Sequence, residues 1–122
     1  ALDFAAAHPD PFDARAMIDA GMTLALGTNL NPGNWTESMQ LVMQLACRTY
    51  GMAPEESMLA ATTGAARAIG RDDSLGCLAK GFAADLQIWD LPSFEDIIYR
   101  LGNNAVWMVI KNGSVVVRTP CE

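Results

Sequence analysis

The chain has 122 residues, of which 51% are hydrophobic and 18% charged, with a net charge of −6. That is one domain's worth of chain with room for a modest core, and the composition excludes disorder. The acidic balance argues against nucleic acid and anionic membrane as partners, and there is neither an apolar run near the ~18 residues of a membrane span nor a basic, signal-like start.

Ala1 to Ala7 reads as the end of a strand or a frayed terminus, and His8-Pro9-Asp10-Pro11 as a loop, because two prolines stop regular structure. Phe12 to Ala20 is predicted to be a helix, with Ala16, Met17 and Ala20 on one side and Gly21 as its stop. Met22 to Gly27 is an apolar run expected to form a buried strand. Helix then strand fits half of a βαβ unit, so the fold class is α/β.

The run ends at Asn29 and passes through Asn31-Pro32-Gly33-Asn34. In α/β folds ligands gather where the carboxyl end of a strand meets such a loop. Asn-Pro-Gly is also ordinary turn chemistry, so spacing alone leaves both readings open.

Thr36 to Tyr50 is predicted as an amphipathic helix with Met39, Val42, Met43, Ala46 and Tyr50 on one stripe, Thr36 as N-cap and Gly51 as the stop. Pro54-Glu55-Glu56 opens a second helix, with Met58, Ala61, Thr62, Ala65 and Ile69 inward and Gly70 at its end. The two glutamates read as a charge-paired helix start, since adjacent helical residues do not face each other. A glycine turn follows, then a strand from Asp85 to Trp89, then a loop or short helix from Pro92 to Leu101. Ala105 to Ile110 and Ser114 to Arg118 bracket Lys111-Asn112-Gly113, a strong hairpin signal. The cysteines Cys47, Cys77 and Cys121 are odd in number and lack paired spacing, which predicts reduced thiols in a cytoplasmic setting and no zinc knuckle. Cys47 and the methionines Met39, Met43, Met52 and Met58 read as core.

Three stretches, Asp13 to Gly21, Ala25 to Gly33 and Thr36-Glu37-Ser38-Met39-Gln40-Leu41, resemble imidazolonepropionases, metal-dependent amidohydrolases that open the imidazolone ring in histidine degradation. The resemblance runs from about Phe4 to Val117. It implies the C-terminal portion of an amidohydrolase (β/α)8 barrel, its last helix–strand–helix units in residues 1–70, and the last strands of a small β-sandwich with the hairpin in residues 71–122.

In such enzymes a zinc- or iron-bound hydroxide attacks the ring, and a carboxylate at the end of the last barrel strand binds the metal and moves a proton. Here that position is Asn29, a degenerate form of the family's aspartate, which brings no negative charge and cannot act as a base. The family's metal site also needs several histidines, and this chain has one, His8. No cofactor is therefore expected to be held by this chain alone, since a zinc site wants three or four protein ligands. Asn31, Gly33 and Asn34 match positions where the family contacts its substrate, a propionate-bearing small molecule. The expected function is that of an imidazolonepropionase-like segment without activity on its own. The alternatives are a non-catalytic oligomeric remnant or binding module, or part of another cyclic amidohydrolase. Two barrel strands cannot close a barrel, so the expected partners are further copies of the chain or the missing N-terminal part of the same enzyme.

Overall fold

The computed structural model describes residues 12–120. The expectations for Ala1 to Pro11, His8 included, and for Cys121 lie outside the described residues. Helix α1 spans Ala14–Asp19. It is capped by Asp13, whose carboxylate accepts the Ala16 N–H at 2.9 Å, and Gly21 follows it with φ 77°.

The next segment departs from expectation. Met22 to Gly27 forms no strand ladder among the described residues. Leu24, Leu26 and Thr28 are half-buried while Ala25, Gly27 and Asn29 are exposed, the period-two alternation of an extended chain covered on one side. Its start is tied to α1 by the Met22 N–H on the Met17 carbonyl at 3.0 Å, and beyond that one backbone bond among the described residues holds it, from Leu26 N–H to the Ala60 carbonyl at 2.9 Å. The reason for the difference is that a strand is made by its neighbours. The described residues bring helices to one side of this segment and no second strand to its edges.

Helix α2 spans Met39–Tyr50. Its cap is Ser38, whose hydroxyl accepts the Leu41 N–H at 3.1 Å, and not Thr36; Thr36 instead accepts the Ser38 N–H at 3.4 Å. Gly51 ends the helix in the left-handed region, φ 65°. The buried face holds Val42, Met43 and Ala46, as the stripe predicts, but also Gln40 and Gln44.

The helix expected from Pro54 onward is two helices, α3 (Pro54–Ala61) and α4 (Thr63–Ala68). The break is at Thr62, with φ −118° and ψ −90°. The Thr62 hydroxyl donates to the Met58 carbonyl at 2.8 Å and the Thr63 hydroxyl to the Leu59 carbonyl at 3.2 Å, a back-bonding that bends helices. The buried residues are Ser57, Ala60, Gly64 and Ala66, and Ile69 is exposed. Small side chains face the core because neighbouring backbone comes close on both sides of α4. The central cluster is Ala14, Ala46, Met52 and Ala60, with Ile18, Leu24, Leu26, Cys47 and Tyr50 packed on it.

The second half is a three-stranded antiparallel sheet in the order β1 (Leu86–Trp89), β2 (Val106–Lys111), β3 (Ser114–Arg118), with the short helix α5 (Asp96–Tyr99) between β1 and β2. The hairpin stands as predicted: Lys111 pairs with Ser114, and Asn112 and Gly113 both take positive φ, 48° and 77°. Asp85 anchors the turn by accepting the Asn112 N–H at 2.8 Å and pairing with the Lys111 ammonium. Both interactions, Lys111 first, hold its carboxyl below the usual carboxylate range.

Helix α2 is joined to this half by its two buried glutamines. Gln44 donates to the carbonyls of Ile97 at 2.6 Å and Arg100 at 3.0 Å, and accepts the Gly102 N–H at 2.9 Å. Gln40 accepts the Ala105 N–H at 3.1 Å. No helix among the described residues is long and apolar enough to cross a membrane.

Candidate functional site

The extended segment delivers its carboxyl end to the loop Thr28–Trp35. Asn29 is exposed and takes a left-handed conformation, φ 51°, which Asn tolerates better than most residues. Its carbonyl accepts the Asn31 side-chain amide at 2.6 Å and, more weakly, that of Asn34 at 3.5 Å. The Asn29 side chain enters no hydrogen bond among the described residues.

The turn itself closes through paired backbone bonds, Asn31 N–H to the Asn34 carbonyl at 3.0 Å and the reverse at 2.9 Å. Both amide side chains are used within the loop. Asn31 Oδ1 accepts the Gly33 N–H at 2.9 Å, an Asx-turn. Asn34 Nδ2 donates to the Thr28 carbonyl at 3.1 Å, and its Oδ1 accepts the Thr36 N–H at 3.2 Å. Trp35, exposed, donates its indole N–H to the Pro32 carbonyl at 3.1 Å. Gly33 is not held at positive φ, and a side chain there would meet Asn31 Oδ1 at 3.3 Å. The four sequence-predicted site residues, Asn29, Asn31, Gly33 and Asn34, thus lie together on one loop, with Asn31 and Asn34 shaping it from inside.

Elsewhere the charged groups are structural. Arg15 of α1 forms a two-pronged pair with Glu56 of α3, at 3.1 and 2.9 Å, and reaches Asp19 at 3.0 Å. Glu56 also accepts the Ala53 N–H at 2.8 Å, so Arg15 first and this bond second hold its carboxyl low. Burial pushes the Cys47 thiol up. Among the described residues no three His, Cys, Asp or Glu side chains converge to hold a metal ion. Asn29 offers one neutral amide oxygen where a metal site would need several anionic or imidazole ligands, so the described residues alone do not fit the metal of a hydrolytic centre.

The features missed by sequence reasoning are the two buried glutamines and Gly64. The signal for the glutamines was present: Gln40 and Gln44 are four residues apart on a face shared with Met43 and Cys47.

The chain belongs to the amidohydrolase family, which matches residues 5–116. Within it, the chain corresponds to a segment of imidazolonepropionase-like amidohydrolases. It is 51% identical over 106 residues to the imidazolonepropionase of Geobacillus kaustophilus strain HTA426, covering 86% of this chain and 25% of that protein. With the imidazolonepropionase of Rubrobacter xylanophilus it shares 38% over 109 residues, 88% of this chain and 26% of the relative. The chain therefore spans about a quarter of the length of the curated relatives it matches. Among solved structures it is similar to a mutant of atrazine chlorohydrolase from Arthrobacter aurescens TC1 complexed with zinc and atraton, with TM-score 0.77, 26% identity and coverage of 87% of this chain and 27% of that one. It also resembles A. niger ochratoxinase, with TM-score 0.69, 34% identity and coverage of 85% and 23%.

Proposed function

We propose that this chain supplies the substrate-loop segment of an imidazolonepropionase-like hydrolase, which cleaves a cyclic amide C–N bond, and that it does not perform the reaction by itself. The observation that carries this reading is the extended Leu24–Asn29 segment, covered by helices on one side, open on the other, and ending in a self-bonded loop in which the Asn29 side chain takes no hydrogen bond among the described residues. That is the arrangement of a barrel strand delivering a residue to the ligand-binding end. Residues 1–70 form the barrel portion in this reading, and residues 71–122 the strands of the small sheet domain.

Asn31, Gly33 and Asn34 then form a wall of the substrate pocket, and Asn29 faces the reacting centre. An amide oxygen at Asn29 coordinates a metal weakly and accepts no proton at neutral pH. When bound, a metal would polarise the carbonyl and supply the attacking oxygen; its other ligands have to come from outside the described residues. A cytoplasmic setting is in keeping with Cys47 and Cys77, which are both free thiols. The open side of the segment is closed by the remainder of a longer chain or by further copies of this one. A second reading, a non-catalytic oligomeric module, is favoured specifically by the amide at position 29.

The test compares Asn29 with Asn29→Asp in a full-length protein that contains this segment, with metal content measured in both. The Asp form is expected to hydrolyse imidazolone propionate ~10²–10⁴-fold faster, the usual contribution of a positioned acid–base group. Equal rates at equal metal content would refute the role given to residue 29. Absence of turnover in both metal-loaded forms would refute the substrate.

A further inference from the structure

We infer that three residues of the broken helix pair, Ala60, Gly64 and Arg67, form the seat that sets the position of the Asn29 loop, with Gly64 as its positioning residue. The inference rests on the reading that the loop faces substrate, but the contacts stand without it. Gly64 and Arg67 are three residues apart on one face of α4, and Ala60 stands at the end of α3 across the break at Thr62. Each meets the extended segment at a different point. Arg67 donates to the Thr23 hydroxyl at 3.2 Å. The Ala60 carbonyl accepts the Leu26 N–H at 2.9 Å. Between them Gly64, buried in α4, lies against the Leu24 carbonyl: a Cβ built there would overlap the Leu24 oxygen and come within 3.2 Å of both the Leu24 carbonyl carbon and the Leu59 oxygen.

Gly64 has no positive φ, so its lack of a side chain is not explained by backbone conformation. It is explained by contact: any larger residue must drive Leu24 and α4 apart. The obstructing atoms are backbone, which cannot swing aside as the end of a flexible side chain would. Asn29 is five residues from Leu24 along a segment with one backbone tether, so a shift at Leu24 is passed on to the loop. A displacement of about 1 Å near reacting groups can reduce turnover by 10²-fold.

The experiment uses the full-length protein containing this segment, in the Asn29→Asp form so that turnover can be read. Gly64→Ala is compared with Val42→Ala, a buried change in α2 outside the cluster that packs on Leu24 and Leu26, chosen as a stability-matched control. Hydrogen exchange of residues 22–30, thermal unfolding, and kcat with imidazolone propionate are measured in each. Gly64→Ala is expected to lose protection in residues 22–30 by about tenfold or more and kcat by up to about 10²-fold. Val42→Ala, at equal loss of thermal stability, is expected to retain both. If Gly64→Ala does not fold, Arg67→Gln, an exposed change at the same seat, is expected to raise exchange at residues 22–30 with unfolding temperature retained. Unchanged exchange in whichever seat variant folds, or equal loss in the Val42→Ala control, overturns the inference. If no form turns over imidazolone propionate, the functional reading fails, while the exchange data still decide the seat.

Discussion

Replacing Gln44 by Leu tests how α2 is bound to the rest of the molecule. Gln44 is fully buried, and its amide satisfies three backbone groups: the Ile97 and Arg100 carbonyls and the Gly102 N–H. Leucine nearly preserves volume and removes all three bonds. An unsatisfied buried backbone group costs about 1–3 kcal/mol. The Ile97 bond is buried and carries that cost in full, whereas the Arg100 and Gly102 bonds are partly buried and water can replace them in part. Loss of the amide's own desolvation offsets some of the total, so the expected destabilisation is about 2–4 kcal/mol. The assay is urea unfolding, with hydrogen exchange at residues 97–102 to localise the effect. Gln40→Leu serves as comparison. Its one sound bond, to the Ala105 N–H, is buried, while that to Asn104 is long at 3.4 Å, so its cost is expected to be about 1–3 kcal/mol, that of a single buried group. If Gln44→Leu were within about 0.5 kcal/mol of wild type, like an ordinary surface change, the glutamine would not be the clamp described.

Asp85→Asn should flatten the acid limb of stability. Its folded pKa lies below the unfolded value, so its contribution is present above about pH 4 and is lost as pH falls through the folded pKa; identical acid slopes in wild type and variant, read by exchange across the hairpin, would contradict this. Gly76→Ala should cost more than Gly102→Ala. Both have positive φ, 89° and 75°, but a Cβ at Gly76 would meet Ala66 Cβ at 2.8 Å and the Thr62 carbonyl at 2.9 Å, whereas Gly102 is open. Overpacking adds about 1–3 kcal/mol to the backbone strain, and equal melting temperatures for the two variants would rule out the close contact.

What was legible in the sequence was what is decided locally. Asn112-Gly113 specifies the hairpin because two consecutive left-handed residues suit one turn type. Helix α1 follows from its Gly21 stop, but its inward residues are Ala14 and Ile18 while Ala16 and Ala20, expected on the apolar side, are exposed; most of α2 follows from apolar spacing and Gly51. The Met22–Gly27 strand was read from its composition, but a strand exists through neighbours that the described residues do not provide. The continuous helix from Pro54 failed because periodicity does not register Thr62 and Thr63 turning their hydroxyls onto the preceding turn. The choice of Ile69 as an inner residue failed with it, and Met58 is only half-buried: hydrophobicity ranks them first, while backbone proximity selects Ala60 and Gly64. Thr36 was a reasonable cap by residue type, and Ser38 competes with the same chemistry two residues on. At the site, the Asn-Pro-Gly turn was plain, but that both flanking amides are satisfied inside the loop could be learned only from geometry.

That internal satisfaction separates position from reactivity in this segment. The shape of the Thr28–Trp35 loop is fixed by bonds within residues 28–36, so the loop does not depend on a neighbouring strand to hold its form. Its placement is fixed by the α3–α4 pair beneath it. Neither set of contacts uses the Asn29 side chain, which takes part only through its backbone carbonyl. Exchanging its amide for a carboxylate would therefore change the charge at the strand end by one unit while leaving every described hydrogen bond of the loop in place. The frame is compatible with either group, because none of its described bonds passes through the side chain of residue 29.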